Sequence, residues 1–189
     1  HEKDLVLPAE RAQALHEARR LDDDSAGGLD QRFDDQGRNL ARMGAEGSVI
    51  VITDTSVLVN FLRIDRIDLI VRYPSRFAIT DHVAAEITDH YPDQRVRLDA
   101  ALAAGSIEQL SVSGDVELDL FRQLSETHRL GLGESAAIAY ACAHGHALAI
   151  DDRTAIKQAR RLRPELVVLG TQDIMVQLIR DGAIKLDEA

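Results

Sequence analysis

Five carboxylates in this 189-residue chain stand at positions where a fold of alternating strands and helices would bring them together. Asp54 directly follows the apolar run Val49–Thr53, and Asp151 and Asp152 directly follow Ala147–Ile150. Glu134 opens a helix after the loop Leu130-Gly131-Leu132-Gly133, and Glu86 lies one or two turns into the helix that follows Phe77–Thr80. In an open parallel sheet, functional groups collect outside the carboxyl ends of the strands, so acids far apart in sequence can share one edge. Carboxylates crowded into one cleft repel and raise each other's pKa unless a cation offsets them. A donor set made only of oxygen suits Mg²⁺ or Mn²⁺. One or two such ions orient and deprotonate water and stabilise the leaving oxygen in phosphodiester cleavage.

Taken singly, each acid also has a plain structural account. Asp54 and the Asp151-Asp152 pair suit helix caps, Glu134 suits the positive end of a helix dipole, and Glu86 suits a solvated helix face. Their joint placement favours the shared edge. Two hydroxyls accompany the acids. Ser56, two residues after Asp54, can bond that carboxylate or a substrate, or cap the helix. Thr171 can help position the acids or cap the last helix. Arg153, Lys157 and Arg160 or Arg161 share a face by helical spacing, as cations for substrate phosphates or as a solvated face. Among the seven histidines no HExxH-type spacing occurs, and His144 and His146 flank Gly145 as turn residues.

The elements that must position these groups follow from pattern. Val49–Thr53, Phe77–Thr80, Ile107–Val112, Ala147–Ile150 and Glu165–Gly170 are short apolar or β-branched runs that read as strands. Helices are expected from Thr55 or Ser56 through Ile64, from Asp81 to near Pro92, over Asp93–Ala104 with Gly105 closing it, over Asp115–Thr127 and Glu134–His144, after Asp152, and after Thr171. Strands alternating with helices imply right-handed crossovers and a parallel sheet covered on both faces. A composition 45% hydrophobic but only 4% aromatic gives that sheet an aliphatic core. The single cysteine, Cys142, excludes an intramolecular disulfide and a multi-cysteine zinc site. No run reaches the length of about 18 apolar residues that spans a bilayer, and the chain reads as cytoplasmic. The net charge of −10 runs against the basic character common in nucleic-acid binders. An acidic protein that handles nucleic acid must therefore concentrate its acids at metal and its cations at the rim.

Residues 1–48 differ from the rest, with seven Lys/Arg against eleven Asp/Glu and paired glycines at 27–28. A short helix after Pro8, with Ala12, Leu15, Ala18 and Leu21 on one stripe, and then a flexible linker are expected. This N-terminal extension suits a partner-binding segment. Met43 is also a candidate start, in which case the preceding residues are a non-native leader.

The motifs TDTSVLVNF (53–61), AAEI (84–87), LGLGESAAIAYA (130–141), ALAIDDRTA (147–155) and VVLGT (167–171) together resemble PIN-domain ribonucleases, especially the VapC-type toxins of toxin–antitoxin pairs. The resemblance covers roughly Val49–Ile184, and its motifs are short but correctly ordered. It implies a PIN-like three-layer α/β/α fold with a central parallel sheet over residues 49–189, and a Mg²⁺- or Mn²⁺-dependent endoribonuclease. It also implies an RNA substrate, a cognate antitoxin and a homodimer. By motif, Asp54, Glu86, Glu134 and Asp152 are the four catalytic acids, with Asp54, Glu134, Asp152 and alternatively Asp151 as metal ligands. Ser56, Thr171, Arg153 and Lys157 are the substrate-side residues. The third acid is often Asp in that family, and Glu134 keeps the charge with a longer reach. Haloacid-dehalogenase-like phosphatases need an Asp where Ser56 stands, and receiver domains need a late Lys that VVLGT lacks. The remaining rival is a non-catalytic binding or assembly module on the same fold.

Overall fold

The computed structural model describes residues 50–88 and 91–185. The expected N-terminal helix and linker lie outside the described residues. Strands β1 (Ile50–Thr53), β2 (Arg76–Thr80), β3 (Glu108–Leu110), β4 (Ala147–Ala149) and β5 (Val168–Leu169) form one sheet. All neighbours pair in parallel, in the order β3-β2-β1-β4-β5. From β1 the chain winds to one side through β2 and β3, then crosses back to β4 and β5. The reversal leaves a switch point between the carboxyl ends of β1 and β4, the place where such sheets open a crevice.

Eight α-helices are present among the described residues: α1 (Thr55–Arg63), α2 (Ile67–Arg72), α3 (Asp81–Glu86), α4 (Pro92–Ala103), α5 (Asp115–Arg122), α6 (Leu132–His144), α7 (Arg153–Leu162) and α8 (Thr171–Arg180). They cover both faces of the sheet because side chains alternate along each strand. Val51, Phe77, Ile79, Ala147, Ala149 and Leu169 join a core with Val57, Leu58, Phe61 and Leu62 of α1 and Ile174 and Leu178 of α8. Ile52, Ala78, Leu148 and Val168 join a second core with Ala137, Ile138 and Ala141 of α6 and Ala155 and Ala159 of α7. Each large aliphatic side chain buried this way contributes about 1.5–3 kcal/mol. The expected three-layer arrangement with a parallel sheet is the fold observed.

Several boundaries differ from expectation. Helix α3 stops at Glu86 instead of running toward Pro92, because Pro92 starts its own helix at the first-turn position. Tyr91, the residue before that proline, is held out of the helical region at φ −126°, ψ 71°. The run IDLIVR forms α2, which was not anticipated, with Leu69 and Ile70 buried. The helix expected over Asp115–Thr127 is α-helical only to Arg122 and widens to a π-turn over Gln123–Thr127. The Ser125 hydroxyl donates to Phe121 O at 2.8 Å, competing for a carbonyl of the helix ladder and accounting for the widening. Gly145 closes α6 at φ +69°, a left-handed cap that glycine supplies without a Cβ penalty. Among the described residues no helix is long and apolar enough to cross a membrane.

Candidate active site

Asp54 is the first residue beyond β1, and its N–H donates to Ala149 O at 2.9 Å, carrying the parallel ladder one step past the strand. That bond fixes the residue at the β1/β4 switch point. Asp54, and not Thr55 or Ser56, caps α1: its Oδ2 accepts from Ser56 N at 3.0 Å and from Ser56 Oγ at 2.7 Å. Its Oδ1 is buried with no hydrogen-bond partner, in a residue only 1% exposed. Burial raises the Asp54 pKa, the bonds from Ser56 and Thr55 oppose the rise, and the Glu86 charge adds to it. A buried acceptor oxygen without a donor is costly unless a cation meets it.

Glu86 ends α3, where the helix dipole disfavours an acid. Its placement follows from contacts elsewhere. Oε1 accepts from Gly133 N at 2.7 Å, and Oε2 accepts from the Thr55 hydroxyl, so the carboxylate joins the starts of α6 and α1. Gly133 is required for this approach, since a Cβ there would stand 2.7 Å from Glu86 Cδ. Glu134 lies in the first turn of α6 and accepts from Gly131 N at 3.1 Å, as an acid at a helix N-terminus does. Its pKa is raised, first by burial and then by the charges of Asp54, Asp152 and Glu86, against the Gly131 bond. Asp152 caps α7 through Oδ1, which accepts from Ala155 N at 2.8 Å.

Asp54, Glu86, Glu134 and Asp152 therefore share one electrostatic neighbourhood. Asp151 belongs to a different group. Its Oδ1 accepts from Thr171 N at 2.9 Å, and its Oδ2 accepts from Thr171 Oγ1 at 2.6 Å and from Asn60 Nδ2 at 3.2 Å. It also repels Asp173, whose pKa is raised by burial and by Asp151 against bonding from Gly170 N and attraction to Arg160. Thr171 thus spends both its N–H and its hydroxyl on Asp151. Asn60 was missed in the sequence, although its position one turn after Ser56 on α1 puts both on the same helix face.

The donor set at the switch point fits a hard cation in chemistry, being all oxygen, mutually repelling and including the bare Oδ1 of Asp54. Among the described residues, no three His, Cys, Asp or Glu side chains gather closely enough to hold an ion by themselves. A Mg²⁺-like ion keeps several waters and uses only one or two carboxylates directly, so it does not require three at contact distance. On α7, Arg153, Ile156, Lys157, Arg160 and Arg161 line an open groove of about 500 Å³. None of these four cations forms an ion pair with a described residue, whereas Arg66, Arg72, Arg76, Arg95, Arg97 and Arg163 all do.

An all-parallel five-stranded sheet in the order β3-β2-β1-β4-β5, covered by helices on both faces, defines a three-layer α/β/α protein. Residues 50–189 match the family model described as DUF3368, PIN domain, and the chain belongs to that family. Its fold is similar to that of PAE2754 from Pyrobaculum aerophilum, at 15% identity and a TM-score of 0.50, covering 70% of this chain and 91% of that one. A toxin–antitoxin complex from Klebsiella pneumoniae matches at 18% identity and a TM-score of 0.43, covering 54% of this chain and 86% of that one. FitAcB from Neisseria gonorrhoeae matches at 18% identity and 0.41, covering 65% and 98%. No curated protein matches the chain.

Proposed function

We propose that the chain is a divalent-metal-dependent endoribonuclease, acting as the toxin of a toxin–antitoxin pair. The observation that carries the nuclease reading is the buried, unpartnered Oδ1 of Asp54, set among the mutually repelling Glu86, Glu134 and Asp152. A scaffold has no use for such a cluster, and perturbed carboxylates at a sheet crevice favour a functional site. Asp54, Glu134 and Asp152 are the residues that would hold hydrated Mg²⁺ or Mn²⁺, in part through its waters. When bound, such an ion lowers the pKa of water and offsets charge on the leaving oxygen.

The side chains divide the remaining work. Ser56 binds one oxygen of Asp54 and leaves the other bare. Glu86 ties the first turns of α1 and α6 together, so that Asp54 and Glu134 keep their relative positions. Arg153 and Lys157 offer the positive charge that a substrate phosphate needs, beginning one residue after Asp152. RNA as the substrate, an antitoxin partner and a homodimer all rest on the motif resemblance. The test is incubation of a mixed RNA pool with the full chain and Mg²⁺ or Mn²⁺, with EDTA and Asp54→Asn as controls. Cleavage that needs the metal and Asp54 supports the reading. Cleavage indifferent to EDTA or to the substitution overturns the metal mechanism, and no cleavage together with no cation binding leaves a binding module.

A further inference from the structure

The geometry points to Asn60 as a positioning residue that holds the acidic site in register from α1, an inference that rests on the metal reading above. Two residues of α1, Ser56 and Asn60, face the loop after β4 and the start of α8. Asn60 Nδ2 donates to Thr171 Oγ1 at 2.9 Å and to Asp151 Oδ2 at 3.2 Å. The Thr171 hydroxyl accepts from Asn60 and donates to Asp151 Oδ2 at 2.6 Å. The Asp151 carboxylate thus accepts three bonds, two from Thr171 and one from Asn60, and its rotation is fixed.

The backbone of Asp151 makes a second connection, toward Asp54. Asp151 N donates to Ser56 Oγ at 3.4 Å, which orients the Ser56 hydroxyl so that its own hydrogen goes to Asp54 Oδ2 at 2.7 Å. One set of donors runs from Asn60 through Thr171 and ends on the Asp151 carboxylate. A second starts at the Asp151 N–H and runs through Ser56 to Asp54. The two meet at residue 151 and are linked through its position. Asp54 Oδ2 takes the Ser56 hydroxyl and N–H, and Oδ1 has no hydrogen-bond partner. The same loop carries Asp152, the residue after Asp151. Asn60 touches neither Asp54 nor Asp152, and acts on them through Thr171, Asp151 and Ser56. An amide suits this position because both contacts need donors. A leucine of similar shape offers none.

Residues that orient a metal-binding carboxylate without touching the ion typically account for 10–100-fold in affinity or activity. Mn²⁺ alone, titrated into the full chain by calorimetry, provides the readout, with Asn60→Leu, Thr171→Val and the double variant compared with wild type. We expect about tenfold weaker Mn²⁺ binding in Asn60→Leu, and a double variant no weaker than its worse single, because both substitutions cut one relay. Melting of the metal-free variants controls for stability, and Asn60→Ala replaces Asn60→Leu if the leucine does not fold. Wild-type affinity in the Asn60 variant, or strictly additive losses, overturns the positioning role while leaving the metal reading intact. Failure of wild type to bind Mn²⁺ overturns both.

Discussion

Asp54 and Glu117 are both buried carboxylates, 1% and 6% exposed, yet the protein treats their charges in opposite ways. Burial works against the charge of each. At Glu117 it is outweighed: His144 Nε2 lies 2.6 Å from Oε1, and Ser113 N and Gly114 N donate to Oε2 at 2.9 and 3.4 Å. The Glu117 pKa is therefore lowered. At Asp54 the bonds from Ser56 and Thr55 do not offset burial, one oxygen has no partner, and the neighbouring charge is another acid. The Glu117 pair joins α5 to the end of α6 and is complete within the fold. The Asp54 site leaves one oxygen without a partner, which is what the proposed cation would meet. The contrast sets an acid satisfied by the fold against the acid proposed to be functional, a distinction that burial alone does not draw.

Asp54→Asn sharpens that contrast most. It is expected to reduce metal-dependent cleavage by more than about 100-fold, beyond the usual loss on removing a supporting residue. The metal-free variant should melt at the wild-type temperature or higher, since a strained charge has been removed; a clear drop in Tm would make Asp54 structural after all. Gly133→Ala comes next. The added methyl would push Glu86 away from the α6 N-terminus, and cleavage should fall about tenfold, measured beside an unchanged circular-dichroism spectrum.

Glu117→Gln should do the reverse, lowering stability by about 1–3 kcal/mol, since a buried charged bond is lost, with no change in cleavage per folded molecule. Because the folded pKa of Glu117 is depressed, its stabilisation is present above the ordinary glutamate range and is lost as pH falls through the depressed value. The stability gap between wild type and Glu117→Gln, followed by denaturant titration, should therefore narrow as the solution is acidified. A gap independent of pH would contradict the assignment. The smallest effect is expected in the α7 groove. Arg153→Ala and Lys157→Ala should each flatten the salt dependence of single-stranded RNA binding by about 0.7 per lost phosphate contact.

Most of the architecture is legible in the sequence because short apolar runs with polar ends can bury both faces only inside a parallel sheet. The acids after β1 and β4 are legible for the same reason: a residue directly beyond a strand has its position set by the strand. What escapes the sequence depends on contacts across it. Helix α2 is six residues long, too short to show a period. The end of α3 at Glu86 is set by the proline-led helix that follows. Asp151 and Asp152 are adjacent and chemically equal, and they separate only because Thr171 and Asn60 take the first while the second caps α7. His144 reads as a turn residue until α5 brings Glu117 against it. Asn60 looks like one more polar residue on an exposed face until α8 is packed beside it.

Thermal melting with and without Mn²⁺ tests the central claim most directly. An ion held in the folded state stabilises it by about 2.7 kcal/mol at a concentration a hundred times its dissociation constant. Wild type and Glu117→Gln should both shift upward in Tm with Mn²⁺, while Asp54→Asn should not. An equal shift in Asp54→Asn, or none in wild type, would contradict the assignment of Asp54 as the acid that completes a cation site.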